Sequence, residues 1–297
     1  MTLRAQTLNA AGMRDLFQQF GFKTKKSLGQ HFLVDKDVLQ CILAAAELSQ
    51  KDLIIEVGPG LGILTESLAK RVAKVVAVEL DEKLVKVLKS KLTHFPNVEI
   101  ISGDILRITP EQLVSGGVVP SKVVTSYKVV ANLPYNIASA VLRHFLEARL
   151  KPSLMVVMVQ KEVGEAIAAA PGKMSRLSVS TQFYSKPSII TYVPAKSFYP
   201  SPKVDSVVLR LDVYTEPPLN ISDVSGFFDI VNCGFSSPRK QLRNSLARSL
   251  GIPPQEVNLL LEKAGIEAKR RAESLSLEEW GKLTEIFAPR RKQLRSN

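Results

Sequence analysis

Four consecutive residues, Asn132-Leu133-Pro134-Tyr135, place an amide, two backbone carbonyls and an aromatic ring directly after the apolar run Val129-Val130-Ala131. Asn132 offers a neutral amide oxygen, the Leu133 and Pro134 carbonyls offer further acceptors, and Tyr135 offers a π-face for a planar base. Pro134 fixes its own φ and pushes Leu133 out of the α region, so the segment leaves its strand stiff and extended. Such a set suits an exocyclic amine. Standing alone, the tetrapeptide would read as a strand followed by an ordinary Asn/Pro turn.

A second set gives it a context. Gly58, Gly60 and Gly62 are spaced G-x-G-x-G between the apolar run Leu53-Ile54-Ile55-Glu56-Val57 and a segment with Leu64 and Leu68 at helical spacing. Glu79 ends the next apolar run, where a carboxylate can accept both hydroxyls of a ribose. A dinucleotide fingerprint would carry its third glycine one position later, and no Walker motif is present, which weighs against NAD and ATP chemistry. Glu56 just before the loop would repel a pyrophosphate. It suits an ammonium and a sulfonium, which points to S-adenosylmethionine. Asp104 can then accept from the cofactor's adenine N6, with Leu80 and Ile105 on either side of the ring. Any one of these carboxylates reads more simply as an exposed strand-end charge; together they mark successive strand ends as one site.

These positions require a sheet whose strands end side by side. Apolar runs at 53–57, 75–78, 98–101, 129–131 and 155–159 alternate with helical patterns, which predicts an α/β fold with parallel strands and crossover helices. Runs at 189–193 and 207–211 predict a closing pair of strands around Phe198-Tyr199-Pro200-Ser201-Pro202. Asp35 or Asp37 can cap a helix whose buried face is Val38, Leu39, Ile42 and Ala45. From about Thr215 the pattern changes. Pro217-Pro218 marks a linker, and 227–233, 240–250, 254–263 and 277–287 read as helices followed by a mobile basic tail at 290–295. The expected division is a domain of residues 1–214 and a helical one of 215–297.

Of the 297 residues, 45% are hydrophobic and 23% charged, the balance of a globular chain with room for two cores. Forty Lys and Arg against 28 Asp and Glu give a net charge of +12, which points to a polyanionic partner. The basic residues cluster at Lys23, Lys25 and Lys26, at Arg239, Lys240, Arg243 and Arg248, and at Lys269, Arg270 and Arg271. Each cluster alone reads as a solvated face. In the second, Leu242, Leu246 and Leu250 line one side of a helix while Arg239 and Arg243 share another. Cys41 and Cys233 are too few and too far apart for a disulfide framework or a zinc site, so no metal is expected. No apolar run approaches the ~20 residues of a membrane span, and no signal peptide is evident. A cytoplasmic monomer is the expectation.

The combined motifs Gln30-His31-Phe32-Leu33, Glu56 to Gly62, Asn132 to Ile137, Gln160 to Val163, Phe198 to Ser206 and Arg239 to Leu246 resemble the bacterial small-subunit rRNA adenine dimethyltransferases over nearly the whole chain. The resemblance implies a class I, Rossmann-like, S-adenosylmethionine-dependent methyltransferase sheet with a small all-α C-terminal domain. It further implies transfer of methyls to N6 of two adjacent adenines near the 3′ end of 16S rRNA in the small ribosomal subunit, with S-adenosylhomocysteine as product. The cofactor positions implied by the resemblance are His31, Leu33, Gly58, Glu79, Asp104 and Asn132, to which Gln30, Glu56, Gly60, Leu80 and Ile105 are added as candidates from the same stretches. The base platform implied by the resemblance is Tyr135 and Phe198; residue chemistry adds Asn132, Leu133 and Pro134 as catalytic positions, and the basic clusters assign RNA contacts to Lys25, Lys26, Arg239, Lys240, Arg243 and Arg248. His31 stands where the family more often has Asn, and Ser201 where it more often has Pro. Two rivals are a 23S rRNA adenine methyltransferase of the macrolide-resistance type and a mainly non-catalytic ribosome-assembly factor.

Overall fold

The computed structural model describes residue 12, residues 29–115 and residues 126–295, with side chains described to residue 288. It divides into two compact units, Met1–Gly164 with Lys186–Thr215, and Glu165–Ser185 with Glu216–Asn297. The expected boundary near residue 215 coincides with one division; the segment Glu165–Ser185, expected in the first domain, groups with the second.

In the first unit, strands β2 (Leu53–Val57), β3 (Lys74–Glu79), β4 (Val98–Ser102), β5 (Lys128–Asn132), β6 (Leu154–Gln160), β7 (Ser185–Val193) and β9 (Ser206–Val213) form one sheet in the order β4-β3-β2-β5-β6-β9-β7. The five strands from β4 to β6 run parallel, and β9 joins β6 antiparallel. The fold is therefore α/β and Rossmann-like. Chain order reverses between β2 and β5, the switch point where open α/β sheets bind ligands outside the strands' carboxyl ends. Strands β2 and β3 are buried almost throughout, as both faces of a parallel sheet should be.

Helix α1 (Lys36–Ala45) begins where the Asp35 side chain accepts from the Asp37 and Val38 amides. Its Val38, Leu39, Ile42 and Leu43 join Leu64 and Leu68 of α2 (Ile63–Ala69) in a core with Ile54, Val130, Val156 and Val208 of the sheet. Helix α3 (Glu82–Lys91), capped by Asp81, sends Leu84 into a smaller cluster with Phe32 and Leu61. Unanticipated in the sequence reading is a two-stranded antiparallel pair, β1 (Phe32–Leu33) with β8 (Phe198–Tyr199). Helices α4 (Pro110–Ser115) and α5 (Ala138–Leu146) lie in the connections into β5 and β6, and α6 (Lys161–Ile167) follows β6.

The second unit is helical: α7 (Arg176–Tyr184), α8 (Val224–Gly234), α9 (Leu242–Leu250), α10 (Pro254–Lys263) and α11 (Leu277–Arg295). Phe183 stacks on Phe227, and Trp280 is fully buried. A Cβ on Gly234 would lie 2.3 Å from the Trp280 ring, so α8 and α11 can meet there only because position 234 has no side chain. Helix α11 continues through Arg295, so the backbone of the expected mobile basic tail is helical. Among the described residues, no helix is long and apolar enough to cross a membrane.

Candidate functional site

A cavity at the carboxyl ends of β2, β3, β4 and β5 is lined by residues from the Gln30–Leu33, glycine-loop, Glu79–Leu80, Asp104–Ile105 and Asn132–Tyr135 stretches. Gln30, His31 and Leu33 contribute from β1 and the residues before it, and Glu56, Gly58 and Gly60 from β2 and the glycine loop. Glu79 and Leu80 contribute from the end of β3, Asp104 and Ile105 from beyond β4, and Asn132, Leu133, Pro134 and Tyr135 from β5 and its exit.

The glycine loop is shaped by its three glycines, whose φ values of 66°, 59° and 76° at Gly58, Gly60 and Gly62 lie in the left-handed region. A Cβ on Gly60 would also sit 2.9 Å from the Phe32 ring, so the loop and β1 approach as closely as bare backbone permits. Lys91 reaches back from α3 to donate to the Leu61 carbonyl at 2.9 Å. Around this loop the two glutamates differ. Glu79 accepts from the Gly60 amide at 3.3 Å and the Asp81 amide at 2.9 Å, one on each carboxylate oxygen. Burial nevertheless holds its pKa above the usual range. Glu56 is 1% exposed, its Oε2 has no hydrogen-bond partner, and burial, with Glu79 nearby, pushes its pKa up to about 8. A buried carboxyl with one oxygen unpartnered is costly, and a cationic ligand in the cavity would relieve it.

Asp104 lies at the far side of the loop, accepting from the Leu106 amide at 3.0 Å, with Arg107 at 3.7 Å. Leu80 is 54% exposed and Ile105 buried, two apolar side chains of the same cavity. Gln30 ties its amide to the Asp81 carboxylate at 3.4 Å.

At the β5 exit, the Leu133 amide donates to the Met158 carbonyl and the Pro134 carbonyl accepts from the Ile137 amide, each at 3.1 Å. Asn132 Nδ2 donates to the His31 carbonyl at 3.1 Å, which commits the amide nitrogen and leaves Oδ1 as the acceptor for a ligand. The Tyr135 hydroxyl bonds the buried Ser206 hydroxyl at 2.6 Å, and its ring stacks on the His31 imidazole, centroids 5.6 Å apart and planes at 26°. His31 Nδ1 in turn bonds the Pro200 carbonyl at 2.7 Å. Asn132 and Tyr135 therefore share the cavity with Glu56 and Gly58, and both are braced by His31.

Not every predicted residue joins them. Phe198 is 3% exposed, pairs with Leu33 and packs in the apolar core with Val193 and Val208, so it does not line the cavity. Its apolar ring satisfies the core between β1 and the sheet, a demand invisible while its partner stood 165 residues away. Lys25 and Lys26 lie outside the described residues. Arg239 and Lys240 are exposed in the turn before α9, which starts only at Leu242, so Arg239 and Arg243 do not share a helix face. Arg243 is half-buried, its Nε without a hydrogen-bond partner, and Arg248 is exposed in the helix's last turn. Arg270 is locked to Glu279 and Ser274. Sequence reasoning gave no role to Ser206, Pro200 or Asp81. Ser206 sat inside a quoted motif, but only its contact with Tyr135 shows what it does.

Comparison with known proteins follows the same lines. The chain matches the family model described as ribosomal RNA adenine dimethylase over residues 21–289. It is 49% identical over 279 residues to a ribosomal RNA small subunit methyltransferase A of Dehalococcoides mccartyi strain CBDB1, covering 94% of this chain and 93% of that one. Its counterpart from Moorella thermoacetica is 40% identical over 273 residues, covering 91% and 94%. Among solved structures, the 23S rRNA methyltransferase ErmE is similar with a TM-score of 0.68 and 30% identity over 86% of this chain and 99% of that one. A dimethyladenosine transferase from Plasmodium falciparum, 24% identical, shares the fold with a TM-score of 0.73 over 88% and 98%. By the extent of the family match and these identities, the chain belongs to the ribosomal RNA adenine dimethylase family.

Proposed function

We propose that the chain transfers methyl groups from S-adenosylmethionine to N6 of two adjacent adenines near the 3′ end of 16S rRNA, leaving dimethyladenosines and S-adenosylhomocysteine. The observation that carries this reading is the Asn132 amide, whose nitrogen is held by the His31 carbonyl so that Oδ1 remains to accept from an amine.

The residues present fit the cofactor. The orphaned Oε2 of Glu56 answers an ammonium group, Glu79 keeps lone pairs for ribose hydroxyls beyond the two amides it accepts, and Asp104 with Leu80 and Ile105 suits an adenine. Gln30, His31, Leu33, Gly58 and Gly60 would close around it, and Asn132 would touch both ligands. When bound, S-adenosylmethionine supplies an electrophilic methyl group on sulfur.

The protein's task is then mainly positioning. The adenine N6 lone pair is delocalised into the ring and is a poor nucleophile. Asn132 Oδ1 and the Leu133 carbonyl, accepting the two N6 hydrogens, favour a pyramidal nitrogen with its lone pair directed out of the ring plane. No strong base is needed, since the proton can leave after transfer. Tyr135 offers the base its ring, held in place through Ser206 and His31. Lys25, Lys26, Arg239, Lys240, Arg243 and Arg248 would engage phosphates, making affinity for the RNA fall steeply with salt. A monomer acting on the small subunit or its precursor in the cytoplasm completes the reading.

The test incubates unmethylated small subunits with the protein and labelled S-adenosylmethionine, then locates the label by primer extension and mass analysis. Label at adjacent adenines of 16S rRNA supports the reading. Label only in 23S rRNA would select the large-subunit rival, and none would favour a non-catalytic assembly factor. The higher identity to small-subunit methyltransferases than to ErmE supports the first outcome.

A further inference from the structure

Beyond the cavity, the outer strand of the sheet carries an unusual surface. Strand β7 lies at the end of the strand order, where edge strands are commonly protected by charge. Its Ile190 and Tyr192 are instead 42% and 53% exposed, and they share one face by the strand's alternation. The Lys161 ammonium stands 5.6 Å from the centre of the Tyr192 ring. Lys196 and Lys203 are exposed in the segments that follow β7 and β8.

The position of this surface is fixed by the same short stretch that holds the cavity's tyrosine. Ser206 bonds the Tyr135 hydroxyl at 2.6 Å. Its neighbour Asp205 accepts from the Lys161 amide through its carbonyl and from the Ala195 amide through its carboxylate, both at 2.9 Å. Asp205-Ser206 thus links the Tyr135 side of the cavity to the Lys161–Tyr192 pair through three hydrogen bonds. Glu162 and Asp205 are the acidic residues among these basic ones, and the Asp205 carboxylate is engaged with Ala195.

We propose that Tyr192 is a second stacking platform, which takes an unpaired nucleotide flanking the target adenines while Lys161, Lys196 and Lys203 neutralise the adjoining phosphates. This rests on the rRNA substrate argued above. A target base that leaves its stack deprives its neighbour of a stacking partner, and an exposed aromatic with a cation above it is suited to replace that partner. A surface tyrosine partly covered by a lysine stem would explain the exposure alone. It would not explain why that lysine's own backbone, through Asp205, is tied to the stretch that holds Tyr135, with exposed Lys196 and Lys203 in the flanking segments.

The first test compares Tyr192→Ala and Tyr192→Trp with the wild-type protein on unmethylated small subunits. Tyr192→Ala is expected to raise KM for the subunit about 5- to 10-fold, within the range of one base-aromatic stack, with KM for S-adenosylmethionine and the melting temperature unchanged. Tyr192→Trp is expected to retain wild-type KM. The second test places p-benzoylphenylalanine at position 192 and maps the photocrosslink, expected within two or so nucleotides of the methylated adenines. Unchanged subunit KM in Tyr192→Ala, a crosslink elsewhere on the rRNA, or none at all overturns the proposal. Failure of the wild-type protein to methylate the small subunit would overturn the substrate reading itself, whatever Tyr192 does.

Discussion

At the amino ends of the central strands, Lys128 donates to the Ala46 and Glu47 carbonyls and the Asp52 carboxylate at 2.7–3.2 Å. Arg210 there bonds the Ala45 carbonyl, Glu47 and Asp212. These two cations satisfy carbonyls that α1 leaves open at its C-terminus, where positive charge is also favoured by the helix dipole. At the carboxyl ends of the same strands, Glu56 is buried with an oxygen that bonds nothing and a pKa near 8. One end of the sheet completes its own electrostatics; the other is left incomplete, and it is the end with the cavity. Charge that finds its partner within the chain serves the fold, whereas charge that lacks one points to a ligand.

That contrast can be broken by substitution. Asn132→Ala is expected to lower methyl transfer about 100-fold or more, the scale of losing a preorganised hydrogen-bond group at a reacting centre, with the protein folded and cofactor affinity within a few-fold. Wild-type turnover in this variant would remove Asn132 from the chemistry.

Glu56→Gln is expected to weaken S-adenosylmethionine binding on the order of 10-fold, the cost of losing one charge-assisted contact, read by calorimetry. It should also change stability with pH. Burial raises the folded-state pKa of Glu56 from 4.5 to about 8, so its favourable contribution is complete below 4.5 and is lost as pH rises through 8. The cofactor-free wild type should therefore lose melting temperature relative to Glu56→Gln between those limits and stay lower above them. Parallel curves would mean that Glu56 is not buried as a neutral acid.

Tyr135→Phe removes the tether to Ser206 but keeps the ring, and about a 3-fold loss of transfer is expected, the value of one ordinary hydrogen bond. Arg210→Met probes the paired end. It should lower unfolding free energy by about 1.5–3 kcal/mol, as loss of hydrogen bonds to charged partners does, while turnover and cofactor affinity hold. A loss of turnover in folded Arg210→Met would erase the distinction between the two ends.

The sequence reveals much of this because local chemistry and strand order coincide. G-x-G-x-G after an apolar run, a carboxylate at the end of the following run and Asn-Leu-Pro-Tyr after the central one all fall on strand ends, and a parallel sheet brings strand ends together. What stays hidden depends on distant partners or weak periodicity. A two-residue strand has no pattern to detect, and Phe32 meets Tyr199 only in three dimensions, which is also why Phe198 reads as a platform until its burial is seen. Helix α7 buries Ser178 and Thr181 beside Val179 and Phe183, so no apolar stripe announces it; its clearest mark is the capping box of Ser175 with Ser178. The stretch 239–243 has lysine and arginine at helical spacing, but Gln241 is extended at the N-cap position and the helix starts at Leu242, three residues past Arg239.

Tyr135 is fixed at its hydroxyl by Ser206 and along its ring by His31 before any base arrives. A side chain already confined in this way has little rotameric freedom left to lose, so the ordering cost of roughly 0.5–1.5 kcal/mol that a mobile aromatic would exact on association is largely absent. Base recognition at this ring should then be governed by the entropy of the incoming RNA strand, with the protein's own entropy nearly constant.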